Sequence, residues 1–169
     1  MNGEVSPEQA RKILDMLTDG GAMDELNTPL ALHLSSLALE LDDAELAERL
    51  LLHAKANASD EIEQGWADFE KLKYDEHGID SFAELGAKSE LIEGGTSLAA
   101  AISHHVALLH LSQEEYEEAQ TFASRSLRLR EKVEDLSGIS YGLALLETCS
   151  KKLEDYDTAL VHGTRRIEL

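Results

Sequence analysis

EEYEEA at residues 114–119 and EDYDTA at residues 154–159 have the same layout: acidic residues first, a tyrosine third, an alanine last. Forty residues separate them. Two earlier stretches, AELA ending at Ala47 and DSFA ending at Ala83, also end on alanine, and the four alanines are spaced by 36, 36 and 40 residues. Thirteen residues before three of them stand Leu34, Val106 and Leu146; eight residues after three of them stand Leu91, Leu127 and Ile167. A period in this range is the mark of a chain built from stacked supersecondary units, because one unit cannot bury its apolar face alone. Four copies of a helix pair therefore tile residues 28–169, at about 28–59, 60–95, 96–135 and 136–169. Residues 1–27 form an N-terminal helix and linker.

The units read as helical. Apolar residues recur at helical spacing, as in Leu34, Leu37, Ala38 and Leu41, or Ile102, Val106, Leu109 and His110, and no strand-like alternation occurs. The punctuation agrees with helices. Ser6-Pro7-Glu8-Gln9 offers a serine cap with proline at the first helical position and glutamine three after the cap. Thr28-Pro29 repeats the cap-plus-proline device, and Ser112-Gln113-Glu114-Glu115 has capping-box spacing. Gly20-Gly21, Gly78 and Gly94-Gly95 fall where helices are expected to stop.

An aromatic residue three before a small one, at the turn into a second helix, resembles the tetratricopeptide repeat (TPR) family. The units are similar to the longer, 36 to 40-residue TPR units of bacterial regulators. Trp66-x-x-Phe69 resembles the W-x-x-L that opens the TPR motif. The glycine that follows in that family is replaced by Ser35, Glu70, Ala107 and Glu147, and no proline closes a repeat. The resemblance implies an all-α, right-handed α-solenoid of stacked antiparallel helix pairs whose first helices line a concave groove for an extended peptide or a partner helix. If Ile102, Val106 and Leu109 face the core, His104 and Leu108 open to that groove. Their equivalents are Leu32 and Ser36 in the first unit, Asp68 in the second, and Tyr141, Ala144 and Thr148 in the fourth.

Composition narrows the function. The chain carries 34 acidic and 15 basic residues; residues 1–124 hold 26 acidic and 7 basic, and residues 125–169 hold 8 of each. Such a surface repels nucleic-acid phosphates and anionic lipid. The excess reads either as a solubility device, as in a high-salt cytoplasm, or as steering toward a basic partner. With one cysteine, Cys149, no internal disulfide forms. No signal peptide is evident, and no apolar run of about 18 residues occurs. The expected location is the cytoplasm.

Chemistry finds little footing. Gly138-Ile-Ser140-Tyr-Gly142 matches the G-x-S-x-G nucleophile elbow, which needs a buried strand before the serine, whereas RLREKVEDLS precedes Gly138. His104, His105 and His110 lack the three- or four-residue spacing of helical chelation, and no P-loop is present. The acidic run at Glu114, Glu115, Glu117 and Glu118 suits a helix start. Trp66 and Phe69 read as core. No enzyme, cofactor or metal is expected.

The expected function is a non-catalytic protein-interaction scaffold, one stretch of a larger regulatory protein, that binds a peptide or helical segment of a partner. A second reading is an acidic secretion-type chaperone, since TDGGAMDELN at residues 18–27 resembles the linker after the first helix of those TPR proteins. A third is a ligand sensor or hydrolase using Ser140. At Arg165-Arg166-Ile167-Glu168-Leu169 no polar capping helix follows, so either the native chain continues or this open end pairs with another copy as a homodimer.

Overall fold

The computed structural model describes residues 6–169, and among these every regular element is a helix. In chain order they are α1 (Pro7–Thr18), a 3₁₀ turn (Gly20–Glu25), α2 (Thr28–Glu40), α3 (Ala44–Ala56), α4 (Glu61–Tyr74), α5 (Ile79–Leu91), α6 (Thr96–Ser112), α7 (Tyr116–Lys132), α8 (Leu136–Lys152) and α9 (Tyr156–Ile167). Short turns join the helices, and the fold is an all-α helical-repeat solenoid. None of the described helices is long and apolar enough to cross a membrane.

The chain divides into two compact units, one ending at Asp75 and the other spanning Glu76–Leu169. In the first, α2 packs against α3, and α4 rests on both. Leu14 from α1 and Met23 and Leu26 from the 3₁₀ segment enter the same core as Ala31, Leu34, Ala38, Leu50 and Ala54. In the second unit each helix packs on the next, from α5 to α9. Its largest core joins Ala107, Ala119, Ala123 and Leu127 to Ile139, Leu143, Leu146 and Cys149.

One turn recurs between α2 and α3, α6 and α7, α7 and α8, and α8 and α9. Its middle residue is left-handed: Asp42 (φ 56°), Glu114 (63°), Glu134 (54°) and Glu154 (59°). The following N–H reaches back to a carbonyl five residues earlier, from Asp43 to Ala38, Glu115 to His110, Asp135 to Arg130 and Asp155 to Ser150, at 2.8–3.1 Å. This is the Schellman closure, which satisfies carbonyls that the ended helix leaves unpaired. The same third residue then caps the next helix. Asp43, Asp135 and Asp155 accept the backbone N–H of Leu46, Gly138 and Thr158, so one residue closes one helix with its backbone N–H and opens the next with its carboxylate.

The structure corrects two of the expected caps. Ser112 is the final residue of α6 and donates to the Leu109 carbonyl. Glu115, which holds the N-cap position of α7, makes no side-chain cap bond and instead accepts from His110 Nδ1 at 2.6 Å. A capping box does not form there. At α2 the cap is Asn27, whose side chain accepts from Leu30 N at 2.9 Å; Thr28 is buried and donates to the Ala54 carbonyl. The Ser6/Gln9 capping box of α1 is present with both bonds. Gly78 and Gly95 stand at the starts of α5 and α6 rather than at helix ends.

The repeat register also shifts in one copy. Ala47, Ala119 and Ala159 are each the fourth residue of their helix and are buried. In α5 the fourth residue is Phe82, which is buried, while Ala83 is partly exposed. Moving the register to Phe82 places buried Phe69 thirteen residues earlier, the position that Leu34, Val106 and Leu146 hold in the other copies. A larger pair therefore occupies the two positions, so a search for a small residue selects the neighbouring alanine.

Two substitutions test this architecture in chemical denaturation followed by circular dichroism. Leu146→Ala is expected to cost about 2–5 kcal/mol, because its core neighbours cannot fully close the cavity. Glu154→Gly is expected to stabilise by about 0.5–1 kcal/mol: relieving the left-handed strain at a non-glycine residue exceeds the added entropy of the unfolded chain.

Candidate partner-binding cleft

Between α2 and α4 the first unit opens a cleft of about 440 Å³. Helix α2 contributes Thr28, Pro29, Leu32, His33 and Ser36, one face at successive turns. Helix α4 contributes Glu63, Trp66 and Glu70, again one face. The exposed lining is chiefly apolar, supplied by Pro29, Leu32 and the Trp66 indole. Trp66 is only half-buried and tilts against buried Phe69 with ring centroids 6.2 Å apart.

Most polar groups of the cleft already have a local partner. His33 Nδ1 lies 2.8 Å from the Pro29 carbonyl, so Nδ1 carries a hydrogen and donates it. Glu63 accepts the Ser59 N–H and hydroxyl, both at 2.8 Å, and Glu70 pairs with Lys73 at 2.8 Å. Thr28 is held by the Ala54 carbonyl. What is left for a ligand is an apolar floor with an indole in it, flanked by two carboxylates. That combination suits an apolar side chain accompanied by a cation, which gains from the indole face and the carboxylates together.

Of the eight residues read from the sequence as groove-lining, the structure brings Leu32 and Ser36 together in this cleft. Asp68 lies on another face of α4, where it pairs with Lys55 of α3 at 2.8 Å and accepts from Gln64. The other five belong to the second unit. Leu108 on α6 and Tyr141 and Thr148 on α8 are exposed, and Ala144 is half-buried. His104 is half-buried, with Nδ1 enclosed and unpartnered. Pro29, His33, Glu63, Trp66 and Glu70 escaped the sequence reading. The signal was the helical spacing of Glu63, Trp66 and Glu70, but Trp66 and Phe69 look alike in sequence and only Phe69 is core.

The serine motif is helical packing. Gly138, Ser140 and Gly142 all lie within α8. A Cβ on Gly138 would fall 2.0 Å from Arg130 Nη1 and 2.1 Å from Asp135 Oδ2, the ion pair that braces the α7–α8 turn. A Cβ on Gly142 would meet Leu127 of α7 at 3.4 Å. The histidines are dispersed. His105 sets its ring edge-on to Phe82 at 4.6 Å, while His110 stacks on Phe122 and bonds Glu115. No group of three or more His, Cys, Asp or Glu side chains converges among the described residues in a way that could hold a metal ion. Cys149 is buried, and that burial raises its thiol pKa.

No protein-family model and no curated protein matches the chain. Among solved structures it is similar to BtubC (BKLC) from P. vanneervenii, with a TM-score of 0.63 and 17% identity over 95% of this chain and 70% of that one. The likeness is one of fold.

Burial lowers the pKa of His104 and of His162, aided by Arg130 for the first and Arg165 for the second. Asp155 and Glu147 partly oppose the shift at His162. Both imidazoles stay neutral in the fold at a pH where the unfolded chain, with histidine near about 6.5, binds protons. Their stabilising contribution is complete above that value and declines as pH falls below it. The lowered carboxylates Asp135, Glu147 and Asp155 lose theirs only further down, below the ordinary carboxylate range of about 4. Stability measured by urea unfolding should therefore fall as the pH drops below about 6.5, and His104→Gln should flatten that slope.

Proposed function

We propose that the protein is a non-catalytic interaction scaffold of the cytoplasm that holds a segment of a protein partner in the α2–α4 cleft. The observation that carries this reading is an apolar-floored cleft of about 440 Å³ with a partly exposed tryptophan between two carboxylates. The segment is amphipathic. An apolar side chain seats on Leu32 and Trp66, and neighbouring lysines or arginines meet Glu63 and Glu70 in an acidic setting, since residues 1–124 hold 26 acidic against 7 basic side chains. Helix-in-groove recognition uses this division of labour, with apolar anchors for affinity and charges for encounter and register.

Trp66 is the sole tryptophan, so its emission reports on the cleft. A short helical Leu/Lys peptide should shift and saturate that emission at micromolar concentration, whereas a Leu/Glu peptide of the same length should not. Leu32→Glu, with circular dichroism unchanged, should weaken the Leu/Lys peptide by about tenfold or more, equivalent to about 1.4 kcal/mol. Binding that Leu32→Glu leaves intact would be diffuse charge attraction and would sink the proposal, as would emission that never responds.

A further inference from the structure

Among the described residues of the first unit, the half-buried acidic side chains are Asp43, Glu63, Asp68 and Glu70. All but Glu63 have a cation. Arg11 Nη1 lies 2.7 Å from Asp43, Lys55 Nζ 2.8 Å from Asp68 and Lys73 Nζ 2.8 Å from Glu70. The side-chain bonds of Glu63 are to neutral groups alone. A carboxylate withdrawn from water without a counter-charge carries a desolvation cost, and this one borders the α2–α4 cleft.

The local bonds of Glu63 explain its aim and leave its charge uncompensated. It is the third residue of α4, and its Oε2 accepts both the N–H and the hydroxyl of Ser59 at 2.8 Å. These two donors saturate one oxygen. Its Oε1 receives no hydrogen bond from a described residue. Three residues on, along the same face of α4, the Trp66 indole stands between Glu63 and Glu70 in the lining of the cleft. The two carboxylates are therefore not equivalent. At the start of α4 the charge of Glu63 is open, with Asp60 and Glu61 beside it in sequence; farther along, that of Glu70 is closed by Lys73.

On the reading of this cleft as the binding site, we propose that Glu63 selects the partner: the bound segment carries a lysine or arginine one helical turn from its apolar anchor, and that cation supplies the ion pair Glu63 lacks. With the anchor on Leu32 and Trp66, a cation three or four residues away on the bound helix meets Glu63 Oε1 beside the indole face and gains from both. A cation at the other end of the cleft meets a carboxylate already paired and competes with Lys73 for it. Glu63 thus discriminates among basic segments by the position of their charge, which the diffuse acidity of the surface cannot do.

Three helical peptides of equal length, titrated against Trp66 emission, test this. The first has a single lysine three residues from a central leucine, the second has that lysine two residues from the leucine and so on another face, and the third has glutamine in place of the lysine. The wild-type chain should bind the first about tenfold more tightly than the other two. Glu63→Gln keeps an oxygen for Ser59; it should abolish this preference, leave the glutamine peptide bound as before and preserve the circular dichroism. Glu70→Gln should change the preference by less than about twofold. A lysine preference that persists in Glu63→Gln, while Leu32→Glu still removes binding, would overturn Glu63 as the selector and leave the cleft standing. Equal losses for the lysine and glutamine peptides would make Glu63 a brace of the helix start and overturn it as well. Emission that responds to no peptide would overturn the binding cleft itself, and the selector with it.

Discussion

The close approach of paired helices at a small residue is the constraint on which the rest of the structure depends. Ala47, Ala119 and Ala159 are buried four residues into their helices, thirteen after the buried Leu34, Val106 and Leu146. That separation leaves only three residues for the turn, and a three-residue reversal between antiparallel helices requires a left-handed middle residue. Asp42, Glu114 and Glu154 accept that conformation because the Schellman bonds hold them there, helped at Asp42 and Glu154 by the carboxylate cap that follows. Buried hydroxyls then tie helix to helix, Thr28 to the Ala54 carbonyl and Ser126 to the Ala100 carbonyl, so the polar groups enclosed by close packing are satisfied.

Surface charge follows the same period without governing it. In the second unit Glu90 of α5 pairs with Arg125 of α7, and Glu131 of α7 pairs with Arg165 of α9; the two arginines hold the same position one repeat apart, whereas the two glutamates do not. These pairs are largely exposed, and exposed pairs contribute at most about 1 kcal/mol each. They follow the stacking of the helices rather than cause it. The histidines likewise serve the scaffold one at a time: His53 Nε2 lies 2.9 Å from the Leu26 carbonyl, and His110 bonds Glu115. Dispersed in this way, they form no shared site.

What remains for recognition are faces that the stacking leaves uncovered. The α2–α4 cleft is one, and its value lies in a tryptophan that the core does not absorb. It arises from the packing itself, since a helix face stays open wherever no neighbouring helix covers it.

Much of the fold was legible in the sequence, because helical periodicity and a fixed repeat are local and additive signals. Helix after helix and the proline and capping box that open α1 could be read from spacing, and the failure of Gly138-x-Ser140-x-Gly142 as a nucleophile elbow from the charged stretch before it. The tertiary structure decided matters that depend on which neighbour a side chain meets. It moved the repeat register from Ala83 to Phe82, gave the α2 cap to Asn27 and turned Asp68 toward Lys55. It also separated Trp66, which lines a cleft, from Phe69, which fills a core, although the two stand three residues apart on one helix. A sequence records how often an apolar residue returns to the same side of a helix; whether another helix lies against that side is decided only when the chain packs.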